Sequence, residues 1–295
     1  MSVHLLLLHA LSPIHCGTGQ AISGIDLPIA REKPTGIPLI PGSSIKGVLR
    51  AQPGGYDLIH DKPKAKDIHL TAFGPEVENA SEYAGAVQFG DAHLLFLPIR
   101  SVRGTFAWVT SPYLLRRFSR DLQERGLDRA PTLDVQDREA LVTGTRLVIQ
   151  VQNQDRVVFE DFDFRTRASQ ELTTFARRFG EHLFGEQAQE EIRHFVDRVC
   201  VVNDDVFRVL ARIGMEVVSR NRISNETRTV EKGALWTEEA LPIESILVGL
   251  MVVTPVSRKF TENQLKDHVK GLCKGAIQLG GKATVGRGVC KAEVR

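Results

Sequence analysis

The chain has 295 residues, 42% of them hydrophobic, which is enough for one large core or two modest ones. Its formal net charge of +2 excludes binding to nucleic acid through a global basic field, so any such contact needs a local stripe of cations. Aromatic residues make up only 6%, which argues against single-strand binding built mainly on base stacking and favours contacts to a sugar-phosphate backbone.

The apolar run of residues 3–10 reads as a buried strand. It is too short to span a membrane and has no basic leader. A long glycine-containing loop covers residues 12–36, and a helix follows over 43–52, with Ser43 or Ser44 as its cap. Gly54-Gly55 and the lysine-bearing segment 61–67 read as an exposed insertion. Residues 86–96 and 105–110 are β-rich. A helix opens at Ser111-Pro112 and ends near Gly126. Residues 146–151 and 156–164 pair as strands, and 169–184 and 204–213 form amphipathic helices.

Residues 216–223 and 227–236 form the arms of a hairpin turning at Ser224-Asn225-Glu226. It carries Arg220 and Arg222, has little apolar residue at its tip, and is expected to project from the body. The run 243–253 suits a central strand. Thr261 caps a helix reaching to Leu279, and a glycine loop feeds the last strand, 288–294. The order is that of an α+β protein. No internal repeat, low-complexity tract or linker divides it.

The four cysteines, 16, 200, 273 and 290, show no C-x-x-C spacing. That argues against a zinc knuckle and fits free thiols in a reducing cytoplasm. No Gly-x-Ser-x-Gly occurs, and the His-Asp neighbours at 60–61 and 91–93 lack companion spacing for a hydrolase of that type.

Two segments carry phosphate-binding chemistry. In Pro41-Gly42-Ser43-Ser44-Ile45-Lys46-Gly47-Val48-Leu49-Arg50, free amides at a helix start stand beside Lys46 and Arg50, one turn apart. An ordinary capped helix with two solvated cations reads the same way. In Gly280-Gly281-Lys282-Ala283-Thr284-Val285-Gly286-Arg287-Gly288, exposed amides accompany Lys282 and Arg287. This second segment is neither a Walker loop nor a dinucleotide fingerprint. A flexible hairpin turn is the other reading.

In this order and at this distance, the two segments resemble those of the RAMP superfamily of CRISPR RNA-binding proteins. The blocks at 11–19 and 24–33, and Gly233-Ala234-Leu235-Trp236-Thr237-Glu238-Glu239-Ala240-Leu241-Pro242, are similar to the backbone subunit of type III-B (Cmr) effector complexes. The matching blocks run from residue 5 to 291. The resemblance implies a single RAMP domain over 1–295 with an RRM-like (ferredoxin-like) core. Large insertions are expected at about 54–84 and 100–200, and a thumb hairpin at about 216–240.

The same resemblance implies a subunit that polymerises head to tail along a CRISPR RNA, beside other Cmr subunits and away from any membrane. It would cut complementary single-stranded target RNA at regular intervals as a metal-dependent endoribonuclease, with Mg²⁺ the expected ion. By residue type Asp26 is a turn aspartate in a glycine- and proline-rich loop, and Leu27, preceding Pro28, is extended. The resemblance makes Asp26 the catalytic carboxylate, as metal ligand or as base. His15 is a candidate proton donor or phosphate contact, or a structural histidine at a strand end. Glu238 and Glu239, at the base of the hairpin, are candidate further carboxylates.

Ser43, Ser44, Lys46, Arg50, Gly280, Gly281, Lys282, Thr284, Gly286, Arg287, Arg220, Arg222 and Trp236 are the expected RNA contacts. Arg31 and Lys33 suit phosphate neutralisation, with Glu32 a partner for one of them. Three rivals stay open: a non-catalytic RNA-binding structural subunit, the type III-A (Csm) backbone subunit, and a precursor-processing endonuclease.

Overall fold

The computed structural model describes residues 1–19, 25–52, 62–76, 83–121, 129–254 and 259–295. Leu5–Leu8 form an unbroken apolar run. Strand β1 (Ser2–Ala10) is therefore buried on both faces, the position of a central strand. It lies antiparallel between β13 (Ile246–Val253) and β15 (Val289–Val294), with Leu7 opposite Val248 and Leu8 opposite Ala292. The first and last strands are thus neighbours in one sheet.

The other strands are β2 (Leu39–Ile40), β3 (Val87–Phe89), β4 (Ala92–Arg100), β5 (Phe106–Thr110), β6 (Glu139–Val142), β7 (Ile149–Val151), β8 (Gln154–Phe159), β9 (Phe162–Ala168), β10 (Val199–Val202), β11 (Glu216–Ile223), β12 (Val230–Ala240) and β14 (Ala276–Gln278). Among the described residues the main sheet has 13 strands, ordered β14-β15-β1-β13-β4-β5-β10-β6-β9-β8-β7, with β2 on β4 and β3 on β13. The strands between residues 100 and 200 continue this ladder. β11 and β12 form a separate two-stranded sheet.

Several boundaries follow local chemistry. Ser169 accepts the Leu172 N–H and starts the helix Gln170–Phe184; Asn203 does the same for Asp204–Ile213. Thr261 and Gln264 form a capping box for Glu262–Leu272. That helix stops short of the expected Leu279. Gly275 at φ 83° turns the chain, and residues 276–278 pair with β15 as β14.

The first helix spans Gly42–Ala51 and has no side-chain cap at Pro41, so neither Ser43 nor Ser44 plays that part. Instead Asp91 accepts the Gly42 N–H at 2.8 Å, from a distant turn that local sequence does not announce. The lysine-bearing segment read as exposed opens the helix Lys62–Phe73; Lys66 is exposed, while His69, Ala72 and Phe73 beyond that segment are buried. Gly54, Gly55, Asp61 and the expected helix end at Gly126 lie outside the described residues. The run 156–164 is two strands, parted at Glu160 with φ 49°. The helix Gln189–Val196 and strands β6 and β10 were not expected; short apolar runs such as Val199–Val202 carry no diagnostic period. No described helix is long and apolar enough to cross a membrane.

Candidate active site

Residues 13–17 thread between the base of the hairpin and the glycine loop. On one side Ile14 and Leu241 exchange backbone hydrogen bonds of 2.9 Å at the base of β12. On the other, Pro13 O accepts the Gly288 N–H at 2.8 Å and His15 O accepts the Gly281 N–H at 2.9 Å. The glycines are needed for this closeness. A Cβ on Gly280, at φ 79°, would stand 2.4 Å from His15 O, and one on Gly288, at φ 85°, 2.0 Å from Leu279 O.

His15 is buried, and its Nδ1 lies 2.7 Å from the Glu239 carbonyl oxygen. A carbonyl only accepts, so Nδ1 carries the proton and Nε2 is left as the acceptor of the neutral ring. Nε2 lies over Gly17, where an added Cβ would meet it at 2.9 Å.

Asp26 is exposed, on a short segment bridged to the hairpin. Leu27 N donates to Thr237 O and Glu239 N donates to Leu27 O, both at 3.0 Å, making a parallel bridge to β12. Thr237 then holds the Asp26 carboxylate. Its backbone N–H reaches Oδ2 at 2.7 Å and its hydroxyl reaches the same oxygen at 3.0 Å, while Asp26 N donates to the hydroxyl at 3.1 Å. These bonds hold the Asp26 carboxyl below the usual carboxylate range, so it is ionised at neutral pH.

Glu238 and Glu239 are both buried. Glu238 Oε1 accepts from Trp236 Nε1 at 2.8 Å and faces Lys282 Nζ at 2.9 Å; Oε2 lies 3.5 Å from Arg220 Nε. Burial raises its pKa, but the bonds from Trp236 and Lys282 and the charges of Lys282 and Arg220 outweigh that and hold the carboxyl low. The Lys282 ammonium also stands 5.9 Å from the Trp236 ring centroid. Glu239 Oε1 pairs with Arg31 at 2.5 Å and Oε2 accepts the Ile29 N–H at 3.0 Å. The structure thus gives both glutamates cationic partners. Arg31 is further committed to the carbonyls of Gly36 and Ala211. Glu32 pairs with neither Arg31 nor Lys33; it takes Arg117 at 2.5 Å and faces His93 at 2.7 Å.

The expected RNA contacts divide. Gly281, Thr284 and Gly286 are exposed on the glycine loop. Arg287 is 5% exposed and its guanidinium stands 2.8 Å from Glu216, so its charge joins the loop to β11 rather than facing solvent. Arg222 is exposed farther along the hairpin, 3.7 Å from Glu231. Ser43, Lys46 and Arg50 line a separate cavity of about 550 Å³ with Gly74, Gly85 and Gln88. Arg50 also donates to the Pro75 carbonyl. Ser44 is half-buried on the same helix, which packs beside β14, the strand that runs into the glycine loop.

Among the described residues no cluster of three or more His, Cys, Asp or Glu side chains could hold a metal ion. Asp26 offers a single exposed carboxylate. That fits Mg²⁺ bound through one carboxylate with waters and substrate phosphate, and does not fit a closed protein cage. Thr237 is the residue sequence reasoning missed. It occupies the position passed over between Trp236 and Glu238, and its adjacency to that block was the available signal.

Residues 7–291 match the family model described as the RAMP superfamily. The chain is 36% identical over 298 residues to the CRISPR system Cmr endoribonuclease Cmr4 of Pyrococcus furiosus, covering 100% of this chain and 96% of that protein. It is 25% identical over 304 residues to the CRISPR system CMR subunit Cmr4 of Saccharolobus solfataricus, covering 96% and 93%. The crystal structure of oligomeric Cmr4 from Pyrococcus furiosus superposes with a TM-score of 0.74 at 29% identity, covering 100% of this chain and 98% of that one. With the glycine loop and the hairpin base joined around His15 and the match running nearly end to end, this chain belongs to the RAMP superfamily.

Proposed function

We propose that this chain is the backbone subunit of a type III-B CRISPR ribonucleoprotein and cuts target RNA held by the guide. Its relative from Pyrococcus furiosus is named an endoribonuclease, and the structure named as oligomeric Cmr4 shares the fold. Copies stack head to tail along the CRISPR RNA in the cytoplasm, with other Cmr subunits at hand. The run β15-β1-β13-β4, with a helix after β1 and another after β13, supports an RRM-like core. Lys46, Arg50 and the exposed amides of the glycine loop grip the guide backbone, and base pairing supplies specificity. The β11–β12 hairpin acts as a thumb that distorts the duplex beside it.

Cleavage needs a 2′-oxygen in line with the departing 5′-oxygen. The distorted nucleotide provides that geometry, and the ionised Asp26 carboxylate stands ready to take the 2′-hydroxyl proton. A Mg²⁺ bound there would neutralise charge on the scissile phosphate. His15 Nε2, once protonated, is a donor toward the leaving oxygen. Lys282 keeps a cation at the junction of glycine loop and hairpin. The observation that carries this reading is the Asp26 carboxylate: exposed, ionised, and fastened to the hairpin base within the framework that holds His15 and Lys282.

The test is to purify the complex, extract its RNA and offer a complementary strand with Mg²⁺ or with chelator. The expected result is a particle that lengthens with its guide and makes evenly spaced, Mg²⁺-dependent cuts. A complex of fixed size that cuts a hairpin precursor once would instead establish a processing enzyme.

A further inference from the structure

We infer that Thr237 is a positioning residue for Asp26, tying the carboxylate to the hairpin so that the two move as one piece. The inference rests on reading Asp26 as the catalytic carboxylate. Its ground is the reciprocity of the bonds. The Thr237 hydroxyl accepts the Asp26 N–H at 3.1 Å, and this directs its own hydrogen to Oδ2, 3.0 Å away. The Thr237 backbone N–H reaches that same oxygen at 2.7 Å. Oδ2 is thereby fixed by two donors from one residue.

The backbone completes the coupling. Leu27 lies against β12 through bonds to Thr237 O and from Glu239 N, so the Asp26 segment is pinned to the hairpin by a parallel bridge one residue along. Charged groups on the adjoining elements are engaged elsewhere: Lys282 and Arg220 on Glu238, and Arg31 on Glu239. A duplex that displaces the hairpin therefore displaces the carboxylate with it. Cleavage is confined to the nucleotide the hairpin has distorted.

Thr237→Val keeps the side-chain shape and the backbone N–H while removing the hydroxyl, and Thr237→Ser restores the hydroxyl. In the assembled complex, Thr237→Val is expected to lower kcat for target cleavage by about 10- to 100-fold, the scale of a misplaced reacting group, with KM unchanged. Thr237→Ser is expected to recover most of that loss. Amide hydrogen exchange on the free chain gives a readout apart from activity. In Thr237→Val the Asp26 amide should exchange faster, while the Leu27 amide, bonded to Thr237 O, stays protected.

A Thr237→Val complex with wild-type kcat and an unchanged Asp26 amide would overturn the inference. So would a loss that Thr237→Ser does not recover, or one that appears in KM alone. Asp26→Asn run alongside separates the two levels. If Asp26→Asn cuts normally, the reading of Asp26 itself has failed; if it is inactive while Thr237→Val is normal, only the role of Thr237 has.

Discussion

Lys282 Nζ stands 2.9 Å from Glu238 Oε1, and this pair fastens the glycine loop to the base of the hairpin. Glu238 is almost fully buried, while Lys282 keeps about a third of its side chain in solvent. The carboxylate therefore depends on its cations more than they depend on it. Removing its charge leaves Lys282 and Arg220 facing a neutral group inside a largely closed site. For Glu238→Gln we expect a loss of stability of about 1–2 kcal/mol, discounted for the exposure of Lys282. Denaturant titration of the free chain measures it.

The same residue sets a pH dependence. Its folded pKa lies below the ordinary glutamate value, so the unfolded chain takes up the proton first as pH falls. The stabilisation is present above the ordinary value of about 4.3 and is lost as pH drops through the folded value. Melting curves across that acid range should show a shallower fall for Glu238→Gln than for the wild type.

A second pH effect comes from the contact between the helices Lys62–Phe73 and Glu262–Leu272. Arg50 O accepts from His69 Nε2 at 3.0 Å, so His69 Nδ1 must accept from His268 Nε2 at 3.1 Å, and both rings are neutral. Burial, with His69 beside it, pushes His268 down to about 4. Histidine in the unfolded chain titrates near 6.5. The folded state is therefore fully favoured above about 6.5 and loses roughly 2 kcal/mol as pH falls toward 4, allowing for partial exposure. His268→Phe should flatten stability over that window in denaturant titrations.

Glycine substitutions separate packing from backbone strain. Gly280→Ala places a Cβ against His15 O at positive φ, so about 2–3 kcal/mol of stability is expected to go. Gly286→Ala meets open space and carries only the left-handed penalty of about 1 kcal/mol. The two melting temperatures, compared in one buffer, check the difference.

For guide binding, Lys46→Ala should weaken affinity alike for every sequence and reduce the salt slope by about one, because a phosphate contact carries no base information. Filter binding of unrelated RNAs across a salt series measures both.

Much of the architecture was legible where chemistry is local. Thr261 announces its helix, the amphipathic runs 169–184 and 204–213 announce theirs, the apolar run 3–10 announces a buried strand, and residues 216–236 announce a hairpin. The strand Val199–Val202 was not legible, because an apolar run of that length fits a helix or a strand equally. At the site, residue types pointed to Asp26, His15, Lys282 and the glutamates, but not to their arrangement. Thr237 lies 211 residues from Asp26, and no local pattern records that pairing. The pairing of Arg287 with Glu216 was not legible either, because Glu216 arrives from another part of the chain.

The most direct test is to assemble the complex with Asp26→Ala, measure its affinity for complementary RNA and map every cut along that RNA. The account predicts wild-type affinity and no evenly spaced cuts. Cuts that persist at the same positions with Asp26→Ala would contradict it.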